Sequence, residues 1–247
     1  MVRTRNPLNL GAVARSMSNF GAAELRAVQP FGKAWREANS AVGAGEVMER
    51  AREFAKVAEA VADCSLVVGT TSVGNRELKH PLRDLAEAAP LLRERMVSGK
   101  VAVLFGSEKW GLSNEDLSYC HWLVRIPTRE EHRSMNLGQA AAVVLYEMGR
   151  GAVQSSKLKV ESSAKKKAKT ENGKLKMGTG EELASMEVVE RIGKVLLEAL
   201  VKSGYVGPRK TELAEEKLRR MLRRFSMSTA DAEVFLGMMR KIEKELK

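Results

Sequence analysis

Only two cysteines, three histidines and an aromatic content of 5% occur among the 247 residues. Cys64 and Cys120 each lie beside an apolar, strand-like run, which favours buried free thiols over a disulfide. His80, His121 and His132 show neither i, i+4 nor C-x-x-C-type spacing, so no metal site is expected. Runs of about 18 apolar residues, the length that spans a bilayer, are missing, and "MVRTRNPLNL" lacks the apolar core of a secretory signal. A cytoplasmic location with no membrane partner is the resulting expectation. The pattern G-x-G-x-x-G is absent too, and in "LFGSEKWGLSNEDL" (104–117) Leu112 stands where a phosphate loop needs lysine. The usual dinucleotide and triphosphate sites are thereby excluded.

What is present is the composition of a globular protein, 44% hydrophobic and 30% charged, with a net charge of +11. The excess is uneven. Residues 151–180 carry 8 Lys and Arg against 2 Asp and Glu, whereas residues 1–150 carry 20 against 17 and residues 181–247 carry 14 against 12. Either a polyanion such as nucleic acid is the partner, or the basic segment is a solvated linker.

The chain divides into three regions. Over 1–150, apolar runs at 25–28, 66–70, 101–106 and 122–127 alternate with helical patterns at 9–20, 45–62, 82–97 and 138–150, as in an α/β domain with a mostly parallel sheet. Ligands in such sheets bind beyond the carboxyl ends of the strands, which directs attention to the loops after Thr70, Phe105 and Ile126. Residues 151–180 have no aromatic residue and few large apolar ones and read as a flexible linker. Three further helical patterns, at 183–203, 211–225 and 229–246, suggest a small all-α domain at 181–247, with Thr211 and Ser228 as N-caps. In its second helix Leu218, Met221, Leu222 and Phe225 fall on one side as core. Arg219, Arg220, Arg223 and Arg224 fall on the other, as ordinary surface or as a phosphate-contacting face.

Three stretches stand out. In "NPLNLGAVARSMSNFG" (6–21), Asn9 is placed to cap a helix that packs closely at Gly11 and ends at Gly21, and Arg15 would then lie on the surface. The second stretch follows a buried strand and contains Gly106, Glu108 and Gly111. The third, "IPTREEHRSMNLGQ" (126–139), enters an apolar helix, and Asn136 and Gln139 have the spacing of a capping box. Ser134 and Asn136 are also placed to face a ligand, with Met135 and Leu137 as apolar walls for a flat ring.

Together, N-x-G-x-x-x-R at 9–15, F-G-x-E-x-x-G-L at 105–112 and I-P followed by S-M-N-L at 134–137 resemble the three ordered motifs of the SpoU/TrmH group of SPOUT RNA 2′-O-methyltransferases, over essentially all of residues 1–150. The first stretch, the strand end "VVGTTS" and the helical extension are most similar to the TrmJ branch, which methylates nucleotide 32 of the tRNA anticodon loop. The resemblance implies a Rossmann-like sheet with a C-terminal trefoil knot, a homodimer, tRNA as partner and S-adenosylmethionine as cofactor. It implies that Thr70, Thr71, Ser72, Gly106, Ile126, Ser134, Met135 and Leu137 surround that cofactor. Arg15 matches the catalytic arginine of the group; Ser134 and Asn136 join it in catalysis, and Asn9 is placed with the RNA-facing residues. A guanidinium with a pKa above about 12 is a poor base, so gripping phosphate and polarising the 2′-hydroxyl suits Arg15 better. Glu108 suits a structural role, fixing its loop through backbone amides. The alternatives within this reading are a ribosomal RNA substrate or a noncatalytic RNA-binding member.

Two departures from the group's pattern stand out. Met135 replaces the commoner leucine, a volume-conserving change. Relatives carry a β-strand before the first motif, whereas "MVRTR" is too short and polar to supply one, so a truncated strand or a start lying further upstream is expected.

Overall fold

The fold is described from a computed structural model, in which residues 1–22, 24–32, 45–72, 77–158 and 182–246 are described. Four parallel strands, β3 (Leu66–Thr70), β4 (Leu82–Asp84), β5 (Val101–Leu104) and β6 (Trp122–Arg125), form the main sheet in the order β4-β6-β3-β5. The strands β1 (Arg26–Val28) and β2 (Arg52–Phe54) form a second, two-stranded parallel sheet.

Strand residues alternate between two apolar layers, as the period of a pleated strand requires. Leu66, Val68 and Val124 join one buried cluster with residues of α1 (Pro7–Phe20), α4 (Leu85–Ser98) and α6 (Leu137–Leu158), including Val13, Leu92 and Val144. Val67 and Leu123 face the other cluster, with Val57 of α3 (Val57–Ala60) and Leu117 of α5 (Asn114–Ser118). A parallel sheet must be covered on both faces. Here the helical C-terminal region completes the second face: α7 (Met186–Lys202), α8 (Thr211–Phe225) and α9 (Thr229–Glu245) contribute Met186, Ile192, Leu222 and Leu236 to the same cluster as Val67. Backbone hydrogen bonds from Met186 N to Cys64 O (2.9 Å) and from Glu187 N to Ala62 O (3.0 Å) tie its start to the sheet layer.

The structure corrects several expectations. Residues 45–62 are not one helix: α2 (Gly45–Glu49) and α3 flank β2, which pairs in register with Arg26–Val28. Three residues of strand are too few to show a period, and pairing outweighs their helical neighbours. Leu82–Asp84, at the start of another helical pattern, are strand for the same reason, paired with Leu123–Arg125. The cap of α1 is Asn6, whose side chain accepts from Leu8 N at 2.9 Å, with Pro7 in the first turn; Asn9 lies inside the helix and is buried. Lys210, not Thr211, precedes α8, while Ser228 does cap α9 by accepting from Asp231 N at 3.1 Å. Helix α6 is buried along Leu137, Ala141 and Val144 but leaves Val143 and Tyr146 exposed.

The polar opening segment also does more than its length suggests. Val2 N donates to Phe105 O, Arg3 N to Val28 O and Val28 N to Met1 O, each at 2.8 Å. Val2, fully buried, thus joins the two sheets through a single parallel bridge to Val28. Val2, between Met1 and Arg3, supplies this link. The basic segment 151–180 lies outside the described residues except for the helical backbone up to Leu158. Among the described residues no helix is long and apolar enough to cross a membrane.

Candidate active site

The loops leaving β3, β5 and β6 open at one end of the main sheet and enclose a cavity of about 1160 Å³. Its lining brings together all eight residues expected around a cofactor: Thr70, Thr71 and Ser72 from the first loop, Gly106 from the second, Ile126 after β6, and Ser134, Met135 and Leu137 at the entrance to α6. Ser134 and Asn136 are exposed, Met135 half-buried and Leu137 buried, so the two polar residues meet solvent while the two apolar ones turn toward the core.

Each wall has a specific cause. Thr70 uses its hydroxyl to bond Leu104 O at 2.9 Å, and Thr71 N donates to Val124 O at 3.0 Å, so the first loop is held to both neighbouring strands. At Gly106 a Cβ would stand 2.0 Å from the Gly111 carbonyl carbon, leaving space only for glycine. The turn beyond it is closed by Ser107 N to Gly111 O (3.2 Å) and Gly111 N to Ser107 O (2.9 Å), with Gly111 at φ +66°. A capping box between Ser113 and Asp116 then starts α5, and Asp116 is ion-paired with Arg3.

The three motifs meet at three polar side chains. Glu108 accepts from Arg5 N (3.1 Å), Asn6 N (3.0 Å) and Asn9 Nδ2 (3.0 Å). Burial pushes its carboxyl upward, but these hydrogen bonds outweigh burial and hold it below its ordinary value. Asn9 Oδ1 in turn accepts from Asn136 Nδ2 at 3.0 Å, and Asn136 Oδ1 accepts from Gly138 N (2.9 Å) and Gln139 N (3.3 Å). Asn136 therefore caps α6 while holding Asn9. The Asn9 side chain is thus buried and engaged at both its nitrogen and its oxygen within the protein.

Residues 1–146 match the family model described as SpoU rRNA Methylase family. The chain belongs to the SpoU methylase family. Among curated relatives it is 32% identical to the tRNA (cytidine/uridine/adenosine-2′-O-)-methyltransferase TrmJ of Pseudomonas aeruginosa, over 99% of this chain and 92% of the relative. It is 31% identical to the tRNA (cytidine/uridine-2′-O-)-methyltransferase TrmJ of Klebsiella pneumoniae, over 100% and 96%. Among solved structures, TrmJ from Z. mobilis ZM4 matches with a TM-score of 0.77 at 30% identity, covering 98% of this chain and 96% of that one.

Within this SpoU methylase fold not every expected site residue reaches the cavity. Arg15 lies on the exposed side of α1, outside the cavity lining. The arginines of α8 are not an open phosphate-binding face. Arg223 is buried and ion-paired with Glu190 of α7, and Arg219 bonds Ser118 Oγ (3.1 Å), pairs with Glu190 and Glu215 and lies 4.3 Å from the Tyr119 ring centroid. Arg220 pairs with Glu216, and Arg224 is exposed. The helical wheel could not show that α8 packs its cationic side on α5 and α7, nor that Phe225, assigned to the core, is exposed. Conversely, Arg5, Lys109, Trp110 and Arg133 line the cavity unannounced. For Lys109 and Trp110 the signal was there: they fill two of the three variable positions of F-G-x-E-x-x-G-L.

Proposed function

We propose that this chain transfers the methyl group of S-adenosylmethionine to a ribose 2′-hydroxyl of tRNA, at nucleotide 32 of the anticodon loop. The observation that carries this reading is the cavity at the carboxyl ends of β3, β5 and β6, built by all three motifs at once. Its chemistry fits the cofactor: Ile126, Met135, Leu137 and Val144 supply apolar walls for a flat base, and the hydroxyls and backbone groups of Thr71, Ser72 and Ser134 supply partners for a ribose and an amino-acid tail. When bound, S-adenosylmethionine supplies an electrophilic methyl group on a sulfonium centre. The protein's share is positioning, since holding two reactants in line removes much of the entropic barrier. The Glu108–Asn9–Asn136 chain keeps the second and third loops at fixed separation, and Ser134 faces the ribose from the exposed rim.

Arg15 holds the phosphate beside the target ribose and polarises its 2′-hydroxyl. Its position outside the cavity of its own chain suits a homodimer in which the Arg15 of one protomer faces the cavity of its partner. The exposed apolar side chains Leu8, Val143 and Tyr146 on α1 and α6, beside the edge-to-face pair Phe20–Tyr146 (5.9 Å), support such a contact. The family's trefoil knot, formed by the chain after β6, and a cytoplasmic location belong to the same reading.

The test is methyl transfer from labelled S-adenosylmethionine to unmodified tRNA and, separately, to ribosomal RNA, followed by nuclease mapping, with Arg15→Ala alongside. Label at a single anticodon-loop ribose that vanishes in the variant is the expected result. Label in ribosomal RNA alone overturns the substrate assignment, and cofactor binding without transfer to any RNA overturns the enzyme.

A further inference from the structure

Trp110 stands at the mouth of the cavity with 72% of its surface exposed. An indole left in water on a soluble surface forgoes burial of a large apolar area, and here the turn that carries it is among the most tightly held in the site. Residues 107 and 111 are paired through both backbone groups, Trp110 N donates to Ser107 Oγ at 3.3 Å, Gly106 packs against Gly111 without room for a Cβ, and Glu108 is anchored by three donors. The ring is therefore presented, not left loose. Lys109 Nζ lies 4.8 Å from its centroid, and Arg5 and Arg133 line the same cavity. The carboxylate of Glu108 in the same lining offsets one of these three cations, which leaves the rim net positive.

We propose that Trp110 is a stacking platform for a base of the RNA substrate, flanked by Lys109, Arg5 and Arg133 as phosphate partners. The inference rests on the function proposed above and identifies the residue that receives the substrate. An aromatic ring among cations, at the edge of a deep site, is the combination that binds unpaired nucleotides. Lys109 sits against the indole as a cation on a π face and stays within reach of the backbone phosphates. Bases in an RNA loop are free to leave the stack, and every base offers a π face, so the platform admits a loop nucleotide without choosing among bases.

The experiment titrates unmodified tRNA and, separately, S-adenosylmethionine into the full chain, wild type and Trp110→Ala, Trp110→Phe and Lys109→Ala, across a salt series, with wild-type methyl transfer as control. Trp110→Ala weakens tRNA binding about 5- to 150-fold, the range of one lost base–aromatic stack, and leaves the salt slope and cofactor affinity unchanged. Trp110→Phe restores most of the loss, and Lys109→Ala lowers the slope by about one phosphate contact. Unchanged tRNA affinity in Trp110→Ala overturns the proposal, as does an equal loss of cofactor affinity, which makes the indole a cofactor wall. A wild type that binds cofactor but neither binds nor methylates tRNA removes the parent reading instead, and the stack with it.

Discussion

The side chain of Asn136 donates from Nδ2 to Oδ1 of Asn9 at 3.0 Å, across 127 positions of sequence. Because Asn9 donates onward to Glu108 and Asn136 also caps α6, this one bond couples the first motif to the second and third. Asn9→Ala removes two hydrogen bonds of a buried side chain, one of them to the Glu108 carboxylate, a loss of about 1–3 kcal/mol. In a double-mutant cycle with Asn136→Ala the two losses are not additive, with a coupling of about 0.5 kcal/mol or more. Urea unfolding of the four proteins measures it, and strict additivity means the motifs are energetically separate.

Gly106→Ala places a methyl group 2.0 Å from the backbone of Gly111. Backbone cannot yield as a side-chain tip does, so the cost reaches about 3 kcal/mol, and the cavity loses cofactor affinity by at least about tenfold. Gly111→Ala meets no atom within 4 Å and costs only the strain of φ +66°, about 1–2 kcal/mol. Thermal unfolding and calorimetry with S-adenosylmethionine rank the pair, and the reverse order contradicts the packing described.

Glu108 is needed as a carboxylate. With its folded pKa held below the ordinary 4.5, its contribution is present in full above 4.5 and is lost as pH falls through the lower folded value. Cofactor affinity at this loop is then level from pH 8 to 5. Glu108→Gln, which keeps the shape but offers one acceptor oxygen in place of two, weakens it at all pH values. Wild-type affinity in that variant shows that the charge is dispensable.

Arg223→Ala destabilises the fold by about 3 kcal/mol, because it breaks the ion pair with Glu190 and leaves a void where a fully buried side chain stood. The salt slope of tRNA binding does not change. Chemical unfolding and a salt titration separate the two effects. A lowered slope with unchanged stability returns Arg223 to the RNA-binding face.

His121 is buried, with Nδ1 accepting from Val67 N at 3.1 Å. Burial, aided by the nearby charge of Arg223, pushes its pKa from 6.5 down to about 3. Between those values the unfolded chain takes up a proton that the folded chain refuses, so stability declines as pH falls from 6.5 toward 3 and is level above 6.5. His80, lowered to about 4 by burial and then by Arg220 and Arg224, adds to the same slope. Unfolding midpoints from pH 8 to 4 show the decline, and His121→Asn flattens it. An equal slope in that variant assigns the acid sensitivity to other groups.

The sequence by itself determined the layers of the fold and the ends of the sheet at which chemistry occurs. Runs such as Leu66–Thr70 and Val101–Leu104 are apolar on both faces because a covered parallel strand must be, and the three motifs are local strings whose loops follow those strands directly. Shorter elements were invisible. The strand Arg52–Phe54 and the bridge at Val2 have no periodicity of their own and exist because a partner edge is there to receive them. Side-chain roles were decided only in three dimensions: a helical wheel separates charged from apolar positions but does not say which face meets another element. The cationic side of α8 therefore turned out to be packed on Glu190, Ser118 and Tyr119. Tertiary contact likewise made Asn9 a link between loops and left Trp110 in the open, since hydrogen-bond partners and exposure depend on residues a hundred positions away.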